Sequence, residues 1–400
     1  MRVLISGASI AGPALAYWLN TYGFEVTVVE RASTLRKSGG HAVDLFRPAM
    51  QIVGKMGLRD AVRAKATGTD AIVIHRDHAK PVTLDLHKVY TAVSDDHIEI
   101  MRDDLSEIFH DATRHNVEYI FADSITSITD DGHVTFEHGA PRDFDVIVGA
   151  DGLHSNVRML TFGPESGFST WIGGYLSVIS VPEHLAIKGV MQVTAKIGRL
   201  AGVYTADQID DGRAIFLFRT PRQLSYHYRD VPRQKHLLRE HFADMDWEVP
   251  RLLAELDDTP AFYFDSITQL RLDTWSRGRV TLVGDAGYCP GPAVGGSTSL
   301  AVVGAYTLAG ELATHMPDYR TAFAAYEREI GDYVRRSRAF AVTAAKKLVP
   351  ASAVNLWVLI HTAQLIGLLP AGVSRTFAKL GGRGLRLHDM VALRDYSPLQ

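Results

Sequence analysis

Three short runs in this chain carry residue types that could do chemistry together. The first is Val3-Leu-Ile-Ser-Gly7-Ala-Ser9-Ile10-Ala11-Gly12, with Val28-Val-Glu30 following it. The second is Gly149-Ala-Asp151-Gly-Leu-His-Ser155-Asn-Val-Arg158. The third is Val283-Gly-Asp285-Ala-Gly-Tyr288, which leads into Gly291-Pro292-Ala-Val-Gly295-Gly296-Ser297-Thr298. Gly7, Ser9 and Gly12 have the spacing of a dinucleotide-binding turn, with Ser where the middle Gly usually sits. Such a turn brings the free N–H groups of a helix N-terminus, here around Ile10, Ala11 and Gly12, onto a pyrophosphate, where the dipole favours an anion. Gly7 makes the turn and Gly12 lets the helix pack on the strand. Glu30 can accept from a ribose diol and would repel a 2′-phosphate. Ser9 turns a side chain toward the phosphate, with a hydroxyl able to donate to it. A nucleophile elbow at Gly7-Ala-Ser9 fails, because it needs Gly where Ala11 stands.

The elements that must position these runs follow from periodicity. Val3–Ile5 and Phe24–Val29 read as buried strands around a helix from Pro13 to Tyr22, which Gly23 ends. A polar segment, Ser33–Ser38, precedes Gly39-Gly-His-Ala-Val-Asp44-Leu, and helical spacing runs from Pro48 to Ala66. Ala71–Ile74 and Val82–Leu86 read as short strands. Ile98–Arg102 reads as a strand entering a helix whose N-terminus Asp103 and Asp104 would cap. Strand patterns follow at Val117–Phe121, Ser124–Ile128 and His133–Phe136. From Phe168 to Asp273 the texture is β-rich (Tyr175–Val181, Gly189–Ala195, Gly202–Ala206, Arg213–Arg219), with one helix at about 233–243. Val280–Val283 returns to a buried strand, and a long helical region spans Thr298–Leu348.

Composition narrows the function classes. A hydrophobic fraction of 46% supports a sizeable core, and a net charge of −3 gives no polyanion-binding signature, so no nucleic-acid partner is expected. One cysteine, Cys289, leaves no pair for an internal disulfide and suits a reducing compartment. The first strand begins at Val3, so no signal peptide is expected and a cytoplasmic location is. Ala351–Val373 is apolar but interrupted by Asn355, His361, Gln364 and Pro370, so it is read as a helix packed across the domain junction, with contact at a membrane surface the less favoured alternative. His75 and His78 lack any ligand spacing, and no metal is expected.

Taken in order, the three runs resemble the motifs of the class A FAD monooxygenases, the aromatic hydroxylases built like para-hydroxybenzoate hydroxylase. The texture is similar to the compact group that includes the tetracycline-inactivating flavin monooxygenases. The resemblance implies an α/β protein: a Rossmann-like FAD-binding domain (1–67, 98–160 and 275–345), an inserted β-sheet substrate domain (68–97 and 161–274) and a C-terminal helical segment (346–400). It further implies that Glu30 holds the adenosine ribose with Arg31 near the adenine end. Arg102 would reach the flavin diphosphate or ribityl chain, Asp285 would accept from a ribityl hydroxyl, and Asp44 would lie near the ring system. Asp151 would tie the sheet to the flavin and nicotinamide regions. The loop Pro292, Gly295, Gly296, Ser297, Thr298 would run beside the isoalloxazine, with the next helix aimed at its N1–C2 edge. This sequence departs from the family in the third run. Tyr288 replaces a His, Gly291 a Pro, Gly295-Gly-Ser297 a Gly-Gln-Gly, Ser299 an Asn, and Gly304 an Asp.

The activity so implied is oxygenation: NADPH or NADH as transient co-substrate reduces FAD, O₂ forms a C4a-hydroperoxide, and oxygen passes to an aromatic or polyketide-like small molecule by hydroxylation or by insertion beside a ketone. No catalytic side chain is assigned, and the protein would act as a monomer or homodimer. Gln192, Tyr204, Arg213, Phe216 and Phe218 are candidate substrate-lining positions. Two other readings stay open: a flavin protein that sequesters an intermediate without oxygenation, and an FAD-dependent reductase of an isoprenoid chain. A flavin halogenase would need a Trp-x-Trp-x-Ile-Pro stretch that is not here.

Overall fold

The computed structural model describes residues 1–35, 40–86, 94, 96–292, 296–368 and 386–396. Gly39, Gly295, Pro370 and part of the Ser33–Ser38 segment lie outside the described residues. The strands are β1 (Arg2–Ser6), β2 (Glu25–Glu30), β3 (Ala42–Leu45), β4 (Ala71–Arg76), β5 (Ala79–Asp85), β6 (Ile98–Met101), β7 (Glu118–Phe121), β8 (Ile125–Ile128), β9 (His133–Phe136), β10 (Arg142–Asp143), β11 (Val146–Gly149), β12 (Ser169–Pro182), β13 (Val190–Lys196), β14 (Arg199–Tyr204), β15 (Asp211–Phe218), β16 (Phe262–Leu270), β17 (Ser276–Arg277) and β18 (Val280–Leu282). The helices are α1 (Ala11–Thr21), α2 (Arg47–Lys55), α3 (Arg59–Ala64), α4 (Arg102–Asp111), α5 (Asn156–Phe162), α6 (Val231–Phe242), α7 (Val249–Ala254), α8 (Asp285–Tyr288), α9 (Ser297–His315), α10 (Tyr319–Leu348), α11 (Ala353–Leu368) and α12 (Arg386–Asp389).

One sheet has the order β17-β18-β11-β1-β2-β7, with β1 parallel to both β2 and β11 and β11 parallel to β18. Its central strand has no polar alternation because both faces are covered: Val3, Leu4 and Ile5 are fully buried. Helices α1 and α9 belong to the same core. The second sheet has the order β16-β12-β15-β14-β13-β4-β5. Its strands do alternate. Tyr175, Ile179, Phe216 and Phe218 face a core completed by α6 and α7, while Leu176, Val178 and Leu217 face the other way. A small ribbon, β3 with β6, stands apart from both sheets, and Tyr204 of the second sheet reaches it by accepting from the Ala42 N–H at 2.9 Å.

Several expectations need correction. The helix read over 48–66 is two, α2 and α3, because Gly57 takes φ +74° between them. The region 298–348 is likewise two helices, broken at Met316-Pro317-Asp318, where Asp318 Oδ1 caps α10 by accepting from Arg320 and Thr321 N–H. Asp103 and Asp104 do not cap α4. Asp103 accepts from the Gly40 N–H at 2.7 Å, and Asp104 pairs with Lys65 at 3.0 Å. Strand β16 has no apolar run in the sequence, because Asp265, Ser266, Thr268 and Gln269 interrupt it although all four are buried, and the short helix α7 adds to the expected elements. Among the described residues no single helix is long and apolar enough to cross a membrane; α11 lies on β5 and its outer side exposes Val354 and Trp357.

A Cβ placed on Gly12 would overlap the Gly7 carbonyl oxygen and stand 3.4 Å from Ile5 Cγ2. Gly12→Ala must therefore push α1 off β1. The expected cost is about 1–3 kcal/mol in urea unfolding, the range for overpacking a filled core.

Candidate functional site

Because β1, β2, β11 and β18 are parallel, their C-terminal ends meet at one edge of the sheet. That edge carries Gly7 after β1, Glu30 at the end of β2, Asp151 after β11 and Asp285 after β18. The first two motif loops are in contact there: Gly7 takes φ +108°, and a Cβ on it would lie 2.6 Å from the Ala150 oxygen. Ser106 of α4 donates toward the Ala8 and Ser9 carbonyls at 3.3 and 3.0 Å, holding the turn from the other side. Glu30 accepts from the Ala8 N–H at 2.8 Å and the Ala32 N–H at 2.9 Å, so its carboxylate is fixed over the turn before any ligand arrives. Arg31 beside it is exposed.

Helix α1 starts with no side-chain cap, which leaves its first N–H groups without an intrahelical acceptor. Arg102, the first residue of α4, lies across this opening and donates from Nε and Nη2 to Ser9 Oγ at 3.3 and 3.0 Å. Ser9 is thus an acceptor bound to a cation. Among the described residues no carboxylate lies within ion-pairing distance of Arg102. A partly buried guanidinium and an uncapped helix start, side by side, form a receptor for an anion.

Asp151 points back into the protein, accepting from the Ser155 hydroxyl (2.5 Å), the Asn156 and Val157 N–H groups (2.9 and 3.1 Å) and the Ser6 hydroxyl (3.4 Å). Ser155 caps α5 by accepting from the Arg158 N–H. Burial pushes the Asp151 carboxyl upward against those hydrogen bonds. His154 bridges two acids, Glu165 from Nδ1 at 3.0 Å and Asp265 from Nε2 at 3.2 Å. Burial alone would lower its pKa, but the bonds and charges of Asp265 and Glu165 win and lift it to about 10.

In the third run, Asp285 follows Gly284 (φ +65°), whose absent side chain leaves room for Ala11 and Ala301. Burial raises the Asp285 carboxyl, with the Cys289 thiol and the Arg102 charge opposing. Gly296 takes φ +79° as the residue before α9, and the buried His388 imidazole of α12 occupies the space a side chain there would need. Pro292 and Ser297 are half-buried and Thr298 is buried. Ser299 accepts from the Phe46 N–H at 2.9 Å and donates to the Asp44 carbonyl at 3.2 Å, so α9 carries the β3 ribbon. Asp44 Oδ1 in turn meets His97 Nε2 at 2.7 Å. Tyr288 and Gly304 are a coupled pair: a Cβ on Gly304 would overlap the Tyr288 hydroxyl, which shares a 3.0 Å hydrogen bond with Tyr326.

Between the β3–β6 ribbon and the second sheet lies a cavity of about 190 Å³. Leu176, Val178, Met191, Ile215 and Leu217 form an apolar floor, and His41, Glu99, Thr69 and Tyr204 supply the polar groups. Of the candidate lining positions only Tyr204 is there. Phe216 and Phe218 face the opposite core, Gln192 is bonded to His75 at 3.1 Å, and Arg213 is buried, held by the Gly40 carbonyl and Asp211.

Residues 1–341 match the model of a family described as an FAD binding domain. The chain belongs to that FAD-binding family. It is 42% identical over 342 residues to an uncharacterised protein of Mycobacterium tuberculosis, spanning 84% of this chain and 91% of that one. It is 39% identical over 345 residues to a flavin-dependent monooxygenase from an unknown prokaryotic organism, spanning 85% and 88%. The tetracycline destructase Tet(51) superposes with a TM-score of 0.84 at 30% identity, over 99% of both chains. This FAD-dependent protein is accordingly a flavin monooxygenase, an oxidoreductase of the para-hydroxybenzoate hydroxylase fold.

The residues present fit the FAD of this monooxygenase. An unpaired Arg102 beside uncapped amides suits a diphosphate, and Glu30, though bonded to two N–H groups, keeps lone pairs for a diol. Sequence reasoning passed over His41, Glu99, His97 and His388. The first lies inside the Gly39–Leu45 run, but nothing in one strand's spacing tells which partner strand faces it. His388 had no signal at all.

Two results are expected. Gly304→Ala should destabilise the flavoprotein by about 1–3 kcal/mol, and Tyr288→Phe in the same chain should recover most of that loss, a coupling read from a double-mutant cycle in urea. His154 has a pKa raised above its ordinary value near 6.5, so its contribution is complete below pH 6.5 and fades as pH rises toward 10. The melting-temperature gap between wild type and His154→Gln should shrink between pH 6 and pH 9.5.

Proposed function

We propose that this flavin monooxygenase uses NADPH or NADH and O₂ to oxygenate an aromatic or polyketide-like molecule held in the cavity between the β3–β6 ribbon and the second sheet. The observation that carries the reading is the uncompensated Arg102 guanidinium, bonded to Ser9 over the open start of α1. In it, Ser9, Ile10, Ala11 and Gly12 would hold the FAD diphosphate with Arg102 as its counter-charge. Glu30 would take the ribose, Arg31 would lie near the adenine and Asp285 would meet the ribityl chain. Asp44 and the loop from Pro292 to Thr298 would border the ring, and Asp151 would fix the second motif behind it. FAD supplies the redox and oxygen chemistry.

The protein's own part is positioning and exclusion of water. The uncapped start of α9 gives a positive helix end where negative charge would develop, and the apolar floor keeps bulk solvent from the reacting face. The same reading divides the chain into an FAD domain (1–67, 98–160, 275–345), a substrate sheet (68–97, 161–274) and a C-terminal segment, acting in the cytoplasm as a monomer or homodimer. The likeness to a tetracycline destructase makes tetracyclines worth including among candidate substrates.

Oxidation of NADPH by the FAD-loaded protein, with phenols, anthraquinones and tetracyclines in turn, tests the activity. One class should stimulate oxidation and yield a product heavier by one oxygen atom. Flavin that no nicotinamide reduces, with every class present, would overturn the reading. Arg102→Ala should weaken FAD binding at least tenfold in a fluorescence titration of the apoprotein, as expected when a charge-assisted partner of a phosphate is removed. Ser9→Ala should weaken it less.

A further inference from the structure

The cavity has an uneven charge balance. Its floor is aliphatic, and its polar groups are Glu99 from the β3–β6 ribbon, His41 from the residue before it, Thr69, and Tyr204 from the second sheet. Among the described residues that line it none is Lys or Arg. Of the nearby cations, Arg213 is held by the Gly40 carbonyl and Asp211, and Arg102 is turned to Ser9 over the start of α1, the place proposed for the FAD diphosphate.

His41 and Glu99 differ from the other lining groups. The ring nitrogens of His41 make no hydrogen bond among the described residues, although its carbonyl accepts from the Arg102 N–H at 3.1 Å and its ring lies against Tyr263 at 5.7 Å. Burial and the Arg102 charge push the imidazole down to about 4, with Asp44 pulling the other way, so it is neutral near pH 7. A neutral imidazole offers one acceptor and one donor nitrogen. Glu99 stands directly across the ribbon from Asp44. The two carboxyls have unequal partners: Asp44 has His97, whereas Glu99 has the Thr67 hydroxyl at 2.5 Å. Burial and then Asp44 raise the Glu99 carboxyl, against the Thr67, His97 and Thr69 contributions. Burial thus biases Glu99 toward its protonated form, in which the carboxyl is a donor.

We propose that His41 and Glu99 set the specificity of this cavity, selecting an electrically neutral aromatic ligand with a ring hydroxyl and a carbonyl, and excluding aromatic carboxylates. His41 accepts the hydroxyl's hydrogen bond. Complete transfer of that proton would place an imidazolium beside Arg102, so the contact polarises the O–H without ionising it. Glu99 donates to the carbonyl. A carboxylate in the same place would be buried with no Lys or Arg among the described lining residues to pair with it, which is strongly unfavourable. The cavity is also smaller than the roughly 300–1,000 Å³ of sites for drug-sized ligands, which favours a compact ring system. This inference rests on the cavity being the substrate site of the proposed monooxygenase.

The test uses two probes of nearly the same shape, 6-acetyl-2-naphthol and 6-hydroxy-2-naphthoate, titrated calorimetrically into the FAD-loaded protein. The ketone should bind at least tenfold more tightly than the carboxylate. His41→Phe should weaken the ketone about tenfold while leaving FAD affinity unchanged, and Glu99→Gln, which keeps a donor, should stay within threefold of wild type. Equal or tighter binding of the carboxylate, no binding of either probe, or a ketone affinity indifferent to His41→Phe would each overturn the proposal. The wild-type comparison needs no variant to fold. Failure of the wild-type protein to hold FAD would sink the monooxygenase reading instead, and the two failures are told apart by the flavin spectrum.

Discussion

The Gly7 carbonyl lies where a side chain at position 12 would begin, and much of the site follows from that contact. It permits α1 to start against the end of β1, so that the helix's free N–H groups open at the sheet edge. On the opposite side the same turn touches Ala150, which fixes the second motif loop relative to the first. A dinucleotide turn is often described by what it does for phosphate. Here its glycines are required first by the backbone on either side of it. The anion receptor is a consequence, since the uncapped helix start needs only Arg102 beside it to become strongly attractive.

The departures in the third motif are resolved by packing. Tyr288 is larger than the His the family commonly has, and Gly304 smaller than the Asp, and the hydroxyl of one fills the space vacated by the other. Ser299 keeps a donor and an acceptor, and uses both to hold the β3 ribbon through Phe46 and Asp44. The ribbon is therefore carried by α9 at one end and by Tyr204 of the second sheet at the other. That double attachment sets the gap in which the cavity lies. Beyond the ribbon, His388 stacks on Phe46 and packs against Gly296 while bonded through Nδ1 to the Tyr333 hydroxyl at 2.8 Å. Burial keeps this imidazole neutral, near pKa 4, so acidification works against that packing.

By itself the sequence determined the FAD-binding family and the parallel sheet whose end carries the three motif loops. Gly7, Gly12, Glu30 and Arg102 are legible because backbone approach, helix-end charge and strand ends are local properties, fixed within a few residues by φ, burial period and charge. It also indicated an alternating second sheet, since one face there packs on helices and the other does not. Tertiary structure alone decided which residues face the cavity. Phe216 and Leu217 are neighbours in one strand, yet one is in a helix-covered core and the other on the cavity floor. Spacing reveals that alternate residues part company, but only the layer stacked on each side says which set faces the cavity. His41 and Glu99 share a wall because β3 and β6 pair antiparallel across more than fifty residues of chain. His388 reaches Gly296 from the far end of the chain. Such meetings depend on long-range burial and packing, which no local pattern encodes.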